Sequence, residues 1–293
     1  MTTPPPSNVS SKIPICIFAK PPKPGRAKTR LAAKVGPDAA CSLATAFLSD
    51  TLNYVVTFAQ GGSGGGASSG DQDRSSSNND SEHNGAADDD NSSGKNNCSW
   101  AIPILATTED GMFEGSFPLE AYPPGVLPAE IQRWLQPEGD LGAKMEGIIR
   151  FGLDGGCPAT ICVGADSPGR PFSRLDNARK LLMDDGFDCV LGPTEDGGYD
   201  LIGLKQCPPG LLGDLPWSQP ITFQKTTERL EERGYKVACL DKWWDVDEVE
   251  DLDRLKALVA TSEGALLAPA SKAVLDRLAQ EDQQQEKQQQ QQQ

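Results

Sequence analysis

Apolar positions fall in short blocks separated by amphipathic stretches. Ile13–Ala19 reads IPICIFA, a short apolar run that predicts a buried strand. A basic, Pro/Gly-rich loop follows, then a helical stretch from Pro37 to about Ala59. A second strand is expected at Trp100–Thr107, and a Pro/Gly-rich passage leads from it to Gln136. Leu141–Leu153 predicts a helix, and Thr160–Gly164 (TICVG) a strand whose exit carries Asp166. Phe172, Leu175 and Leu182 recur at helical spacing within Pro171–Asp185. Strands are expected at Phe187–Leu191 and Tyr199–Leu204, joined through a turn at Glu195–Gly198. A helix at Thr222–Arg233 ends at Gly234, a plausible C-cap. The strand Tyr235–Leu240 leads into Trp243–Asp247, and Leu252, Leu255 and Val259 line one face of a further helix. Such alternation predicts an α/β fold, a mostly parallel central sheet with helices on both faces. Ligands of these sheets sit beyond the carboxyl ends of the strands, so the segments following strands are where chemistry is sought.

Two stretches break the pattern. Residues 60–97 consist mainly of Gly, Ser, Asn and Asp, and residues 280–293 are Gln-rich. Neither offers enough apolar surface to offset chain entropy, and both are expected to be disordered. The chain therefore divides into a disordered start at 1–12, one domain at 13–279 interrupted by the 60–97 insert, and a disordered tail at 280–293.

Charge and composition then narrow the function. The formal net charge is −15, and the insert carries seven acids against two bases. The remainder is still acidic, which argues against a nucleic-acid-binding surface. His83, inside the insert, is the only histidine, so His-based general-base catalysis, Ser-His-Asp triads and His-ligated zinc are excluded. A metal site would have to be oxygen-rich, suited to Mg²⁺ or Mn²⁺. Of eight cysteines, Cys16, Cys162 and Cys189 lie inside apolar strand-like runs, where a reduced thiol acts as a small hydrophobe, and no CxxC pair exists. With no apolar signal region at the start and no run long enough to span a membrane, the expectation is a reduced, cytoplasmic protein.

Five segments are candidates for chemistry. Lys20–Arg30 (KPPKPGRAKTR) holds five positive side chains and no acid directly after the first strand. Gly25 would let backbone N–H groups approach an anion, Thr29 adds a hydroxyl, and uncompensated like charges point to phosphate binding rather than a solvated turn. Asp166, in Gly164-Ala165-Asp166-Ser167-Pro168, lies at a strand exit and could hold Mg²⁺ or Mn²⁺ or, equally, cap a helix. Asp245 and Asp247 flank Val246; at strand spacing their carboxylates share one side and could join Asp166, unless Asp247 caps the following helix. Gly192–Tyr199 (GPTEDGGY) contains a Gly-Gly hairpin turn beside Glu195, Asp196 and Tyr199, which could contact an acceptor. Gln136–Gly142 (QPEGDLG) is a polar, glycine-containing loop opening a helix, where a base and ribose could approach the backbone.

Together, FAKPPKPGRAKTRLAAKVG, QPEGDLGAKM, VGADSPG, LGPTEDGGYDLIGL, PWS and WWDVDEVEDL resemble, in this order, the GT-A-like "transferase 1" family associated with radical-SAM and selenoprotein domains. Some members of that family are described as arsenosugar-biosynthesis glycosyltransferases. The resemblance covers nearly all of 13–258 apart from the insert. More distantly the chain looks like the 2-phospholactate and molybdenum-cofactor guanylyltransferases. The resemblance implies a GT-A Rossmann-like fold and nucleotide-linked group transfer. It places Lys20, Gly25, Lys28 and Arg30 on the phosphate loop, Asp166 with Asp245 or Asp247 at the metal, and Gln136 and Gly142 near the nucleobase. Asp196, Gly198, Tyr199 and Trp217 would face the acceptor or sugar. Two features depart from the family pattern: the Asp-x-Asp of many glycosyltransferases is reduced to Asp166-Ser167-Pro168, and the insert lies outside it.

The expected activity is metal-dependent transfer of a sugar from a nucleoside-diphosphate-sugar to a small-molecule acceptor, with Asp196 or Glu195 as base. The alternatives are a nucleotidyltransferase that takes a nucleoside triphosphate and releases pyrophosphate, and a non-catalytic nucleotide-binding module.

Overall fold

Ile13, Ile15 and Ile17 of β1 (Ile13–Phe18) pack into one apolar layer, while Cys16 packs into another on the opposite face of the strand. β4 (Thr160–Gly164) repeats this alternation, with Ile161 and Val163 on the first side and Cys162 on the second. Period-two side chains that are buried on both faces require helices above and below the sheet. The computed structural model describes residues 11–61, 101–108 and 128–291.

Seven strands form one sheet in the order β3-β2-β1-β4-β6-β5-β7. β2 (Ala101–Thr107) and β3 (Gln132–Leu135) extend it from β1 in parallel. β6 (Tyr199–Leu204) runs antiparallel to both its neighbours, β4 and β5 (Cys189–Pro193), and β7 (Val237–Cys239) closes the far edge parallel to β5. The expected mostly parallel α/β sheet is therefore present, with one reversed strand made by the hairpin at 194–198. On one face α2 (Pro37–Ala59) supplies Leu48, Leu52 and Val55, and α4 (Phe172–Met183) supplies Leu175, Ala178 and Leu182. On the other, α3 (Leu141–Asp154) supplies Met145, Ile148 and Ile149, and α5 (Thr222–Glu232) supplies Leu230. A third cluster joins Leu31 of α1 (Thr29–Val35), Leu43 and Phe47 of α2, and Leu252, Leu255 and Val259 of α6 (Val249–Val259). α7 (Ser262–Leu267) and α8 (Pro269–Gln291) complete the chain, and Leu275 of α8 joins that third cluster.

Three expectations change. The strand spacing read for Asp245 and Asp247 is not that of a ladder: a single bridge, Thr194 to Trp243, ties Trp243–Asp247 to the sheet. β3 arises inside the passage before Gln136, where Trp134 alone of its four residues is buried. The Gln-rich end is helical to Gln291, although residues past Ala279 are exposed. Glutamine is a fair helix former, and the packed first turns of α8 supply the nucleus that an isolated Gln tract lacks. The expected disorder of the insert and of the first residues falls, beyond Gly61 and before Ser11, outside the described residues. Cys16, Cys162 and Cys189 are buried free thiols, and no described helix is long and apolar enough to cross a membrane.

Candidate active site

β1 and β4 are adjacent and parallel, so the segments that follow them leave the sheet at the same edge. Between those segments lies a cavity of about 440 Å³. Lys20, Lys23, Arg26 and Lys28 line it from the loop after β1, Gly164–Asp166 from the segment after β4, and Phe47 and Leu48 from α2. One wall is therefore basic, and the other is an apolar helix face.

Lys28 stands where these walls meet Asp166. Its ammonium donates to Asp166 Oδ2 at 3.0 Å and to Asp247 Oδ1 at 2.7 Å. The lysine side chain is 12% exposed, whereas the two carboxylates keep 48% and 44% of their surface, so the anions remain open to solvent. Burial acts to lower the pKa of Lys28, but Asp166 and Asp247 outweigh it and hold it above the ordinary lysine value. The Lys28 ammonium in turn holds Asp166 below the usual carboxylate range. The Lys28 backbone adopts the left-handed conformation, φ 44° and ψ 57°, directly before α1. Strain of about 1–3 kcal/mol in a non-glycine residue is characteristic of positions that serve a site.

The capping alternatives for the two aspartates are answered by the helices themselves. α4 begins after Pro171 without a side-chain cap, so Asp166 does not cap it. α6 is capped by Glu248 in a reciprocal box with Asp251, whose Oδ2 accepts from the Glu248 and Asp247 amides. The Asp247 carboxylate is thereby left for Lys28. Val246 is fully buried and its amide donates to the Asp166 carbonyl at 3.0 Å, which places Asp245 and Asp247 beside the 166–167 turn. Asp245 accepts from the Ser167 hydroxyl. Burial, reinforced by the charges of Asp166, Asp200 and Asp196, lifts its pKa to about 7 despite that hydrogen bond.

Of the three expected metal aspartates, Asp166 and Asp247 thus share one cation, and Asp245 is bonded to Ser167. Among the described residues no group of three or more His, Cys, Asp or Glu is placed to hold a metal ion. Asp166 and Asp247, which already hold a positive charge between them, nonetheless form a hard oxygen pair of the kind Mg²⁺ and Mn²⁺ accept when substrate oxygens complete the shell.

A buried ion cluster that sequence reasoning missed frames this arrangement. Arg170, Arg174 and Asp200 are all but inaccessible. Asp200 accepts from Arg170 Nη1 at 3.3 Å and from Arg174 Nε and Nη2 at 3.1 and 2.6 Å. Arg170 also donates to the Gly164 carbonyl, and Arg174 to the Asp241 carbonyl, each at 2.6 Å. The cluster therefore holds both carboxylate-bearing segments to β6. Arg170 directly follows the ADSPG segment, but nothing in its spacing reveals that it turns inward.

The remaining candidates divide. Lys20 lines the cavity, and Gly25 makes the loop's turn at φ 72°. Thr29 opens α1 on the surface, and exposed Arg30 pairs with Glu248 at 3.5 Å. Asp196 is exposed, accepting from Thr194 Oγ1 at 2.6 Å and from the Gly198 amide at 3.0 Å. Glu195 is bound instead to Arg254 of α6 at 2.8 Å, and that guanidinium lies over Trp244. Tyr199 and Trp217 pack edge to face against the second core layer. The Tyr199 hydroxyl and Trp217 indole N–H are buried with no hydrogen-bond partner among the described residues. Gln136, directly after β3, is buried and donates to the Ala106 carbonyl of β2 at 2.8 Å. Gly142 is a packing glycine: a Cβ there would collide with the Leu212 carbonyl and stand 2.9 Å from Trp217 Nε1.

No curated protein matches the chain. A structure from Desulfovibrio desulfuricans G20, described as a nucleotide-diphospho-sugar transferase, aligns with a TM-score of 0.63 at 23% identity, covering 92% of this chain and 98% of its own. A cytidylyltransferase from Leptospira borgpetersenii aligns with a TM-score of 0.43 at 12% identity, covering 92% of this chain and 95% of its own. The first likeness shows a shared fold, of the Rossmann-like kind expected. Residues 104–219, which run from within β2 past β6 and carry Asp166, Asp196 and the Arg170–Arg174–Asp200 cluster, match the family described as "Uncharacterized protein conserved in bacteria (DUF2064)".

Proposed function

We propose that this chain is a transferase that binds a nucleoside-diphosphate-sugar together with Mg²⁺ or Mn²⁺ and passes the sugar to a small-molecule acceptor. The observation that carries this reading is the Lys28–Asp166–Asp247 constellation at the rim of a basic cavity, on the sheet edge where β1 and β4 end. Lys20, Lys23 and Arg26 would neutralise the diphosphate, and the apolar α2 wall would exclude water from it. Asp166 and Asp247 would hold the divalent ion, which when bound offsets the charge developing on the leaving diphosphate. Asp196, exposed and fixed by Thr194 and Gly198, is the better placed base for the acceptor hydroxyl, because Glu195 is held by Arg254. The D. desulfuricans protein supports the reading through its description as a nucleotide-diphospho-sugar transferase and its shared fold.

A second reading rests on the density of charge in the cavity. Four basic side chains between residues 20 and 28 suit a triphosphate as well as a diphosphate, as nucleotidyl transfer with release of pyrophosphate would require. Incubation with panels of nucleoside-diphosphate-sugars and of nucleoside triphosphates, each with Mn²⁺ and candidate acceptors, separates the two. Release of nucleoside diphosphate from a sugar donor supports the first, and pyrophosphate from a triphosphate the second. Binding without either product would leave a nucleotide-binding module.

A further inference from the structure

We infer that Lys28 is the resident cation of this site and that a divalent metal enters it only as a complex with phosphate, which draws Lys28 off Asp166 and Asp247 as the metal takes them. The inference rests on the proposed nucleotide–metal reading and specifies which chemical species the site accepts.

Three observations lead to it. The Lys28 ammonium lies within hydrogen-bond distance of both carboxylates, so the pair is already neutralised in part and the place between them is filled. A divalent ion brought beside that ammonium would meet a like charge a few ångströms away, where repulsion is still substantial at the effective dielectric of a protein surface. Second, no set of three or more His, Cys, Asp or Glu is placed for a metal among the described residues. Mg²⁺ takes about six oxygen ligands, so two carboxylates leave most of the shell to water, and phosphate oxygens are the ligands that would make binding firm. Third, Lys28 lines the same cavity as Lys20, Lys23 and Arg26, so an anion lodged there lies within reach of its ammonium. A lysine is suited to such an exchange, being a point charge on a flexible four-carbon stem. Arriving phosphate would give Lys28 a new partner and the metal its missing ligands in one event. Free metal supplies neither.

The test uses the full chain, Mn²⁺ alone, and inorganic pyrophosphate as a base-independent diphosphate. Binding of Mn²⁺ is followed by electron paramagnetic resonance, with thermal melting to verify folding. Wild-type protein is expected to bind Mn²⁺ alone weakly, and about ten-fold or more tightly when pyrophosphate is present, after correction for the complex that forms in solution. Lys28→Met should bind Mn²⁺ alone about ten-fold more tightly than wild type and gain little from pyrophosphate. Lys28→Arg, which keeps the cation, should behave as wild type. Lys28→Gln serves if Lys28→Met fails to fold. If wild type binds Mn²⁺ alone as tightly as the neutral variants, the inference falls while the nucleotide–metal reading stands. If no variant binds Mn²⁺ with or without pyrophosphate, both fall.

Discussion

Arg174 clasps Asp200 at two points, Nη2 to Oδ1 at 2.6 Å and Nε to Oδ2 at 3.1 Å, with both side chains withdrawn from solvent. Because Arg174 also holds the Asp241 carbonyl and Arg170 the Gly164 carbonyl, this one carboxylate anchors both segments that carry the candidate metal aspartates. Removing it would leave two buried guanidinium groups without their counter-charge. Asp200→Ala is expected to lose about 3–5 kcal/mol of stability, the cost of breaking a buried ion pair from one side. Urea denaturation followed by circular dichroism measures this; a loss under about 1 kcal/mol would show that the cluster is not a frame.

Gly142, which the family resemblance places near the nucleobase, packs against the Leu212 carbonyl and the Trp217 indole. Gly142→Ala should therefore cost about 1–3 kcal/mol through overpacking. Thermal melting checks it, and a variant that melts with the wild type would mean that the 211–217 segment yields freely.

Asp50 of α2 accepts from the Ala270 and Ser271 amides and the Ser271 hydroxyl at the start of α8. Burial outweighs these donors and raises its pKa from 3.8 to about 6. A carboxyl whose pKa is higher folded than unfolded stabilises most when protonated. Its contribution is complete below about pH 4 and is lost as pH rises through about 6, a swing on the order of 3 kcal/mol at 1.36 kcal/mol per pKa unit. Asp50→Asn cannot titrate. The melting temperature of wild type relative to Asp50→Asn should fall between pH 4 and pH 7, and a constant difference would contradict the linkage.

How much of this was legible beforehand depends on whether a residue's role is local. β4, β6 and α2 have the bounds that periodicity alone assigns, because each buries a regular apolar pattern. β3 escaped notice since a four-residue edge strand with one buried side chain leaves almost no pattern. Lys28, Asp166 and Asp247 were readable as members of a basic loop and two strand-exit motifs, but their meeting on one ammonium depends on strand order. Arg170 and Arg174 look like surface residues in sequence, and their burial follows from Asp200, which sits on the one reversed strand between β4 and β5. Glu195 and Asp196 are neighbours with different fates, since only the turn geometry sends Glu195 to Arg254.

If Asp166 belongs to a nucleotide–metal site rather than to the scaffold, its charge is needed for nucleotide binding but not for folding. Calorimetric titration of wild type and Asp166→Asn with a panel of nucleoside diphosphates, with and without Mn²⁺, tests it most directly. Asparagine keeps the size of the side chain and removes its charge, and with no helix to cap it should leave the melting temperature nearly unchanged. Mn²⁺-dependent nucleotide binding is expected in wild type, weakened about ten-fold or more in Asp166→Asn. Equal affinity in the two proteins, or binding indifferent to Mn²⁺ in the wild type, would contradict it.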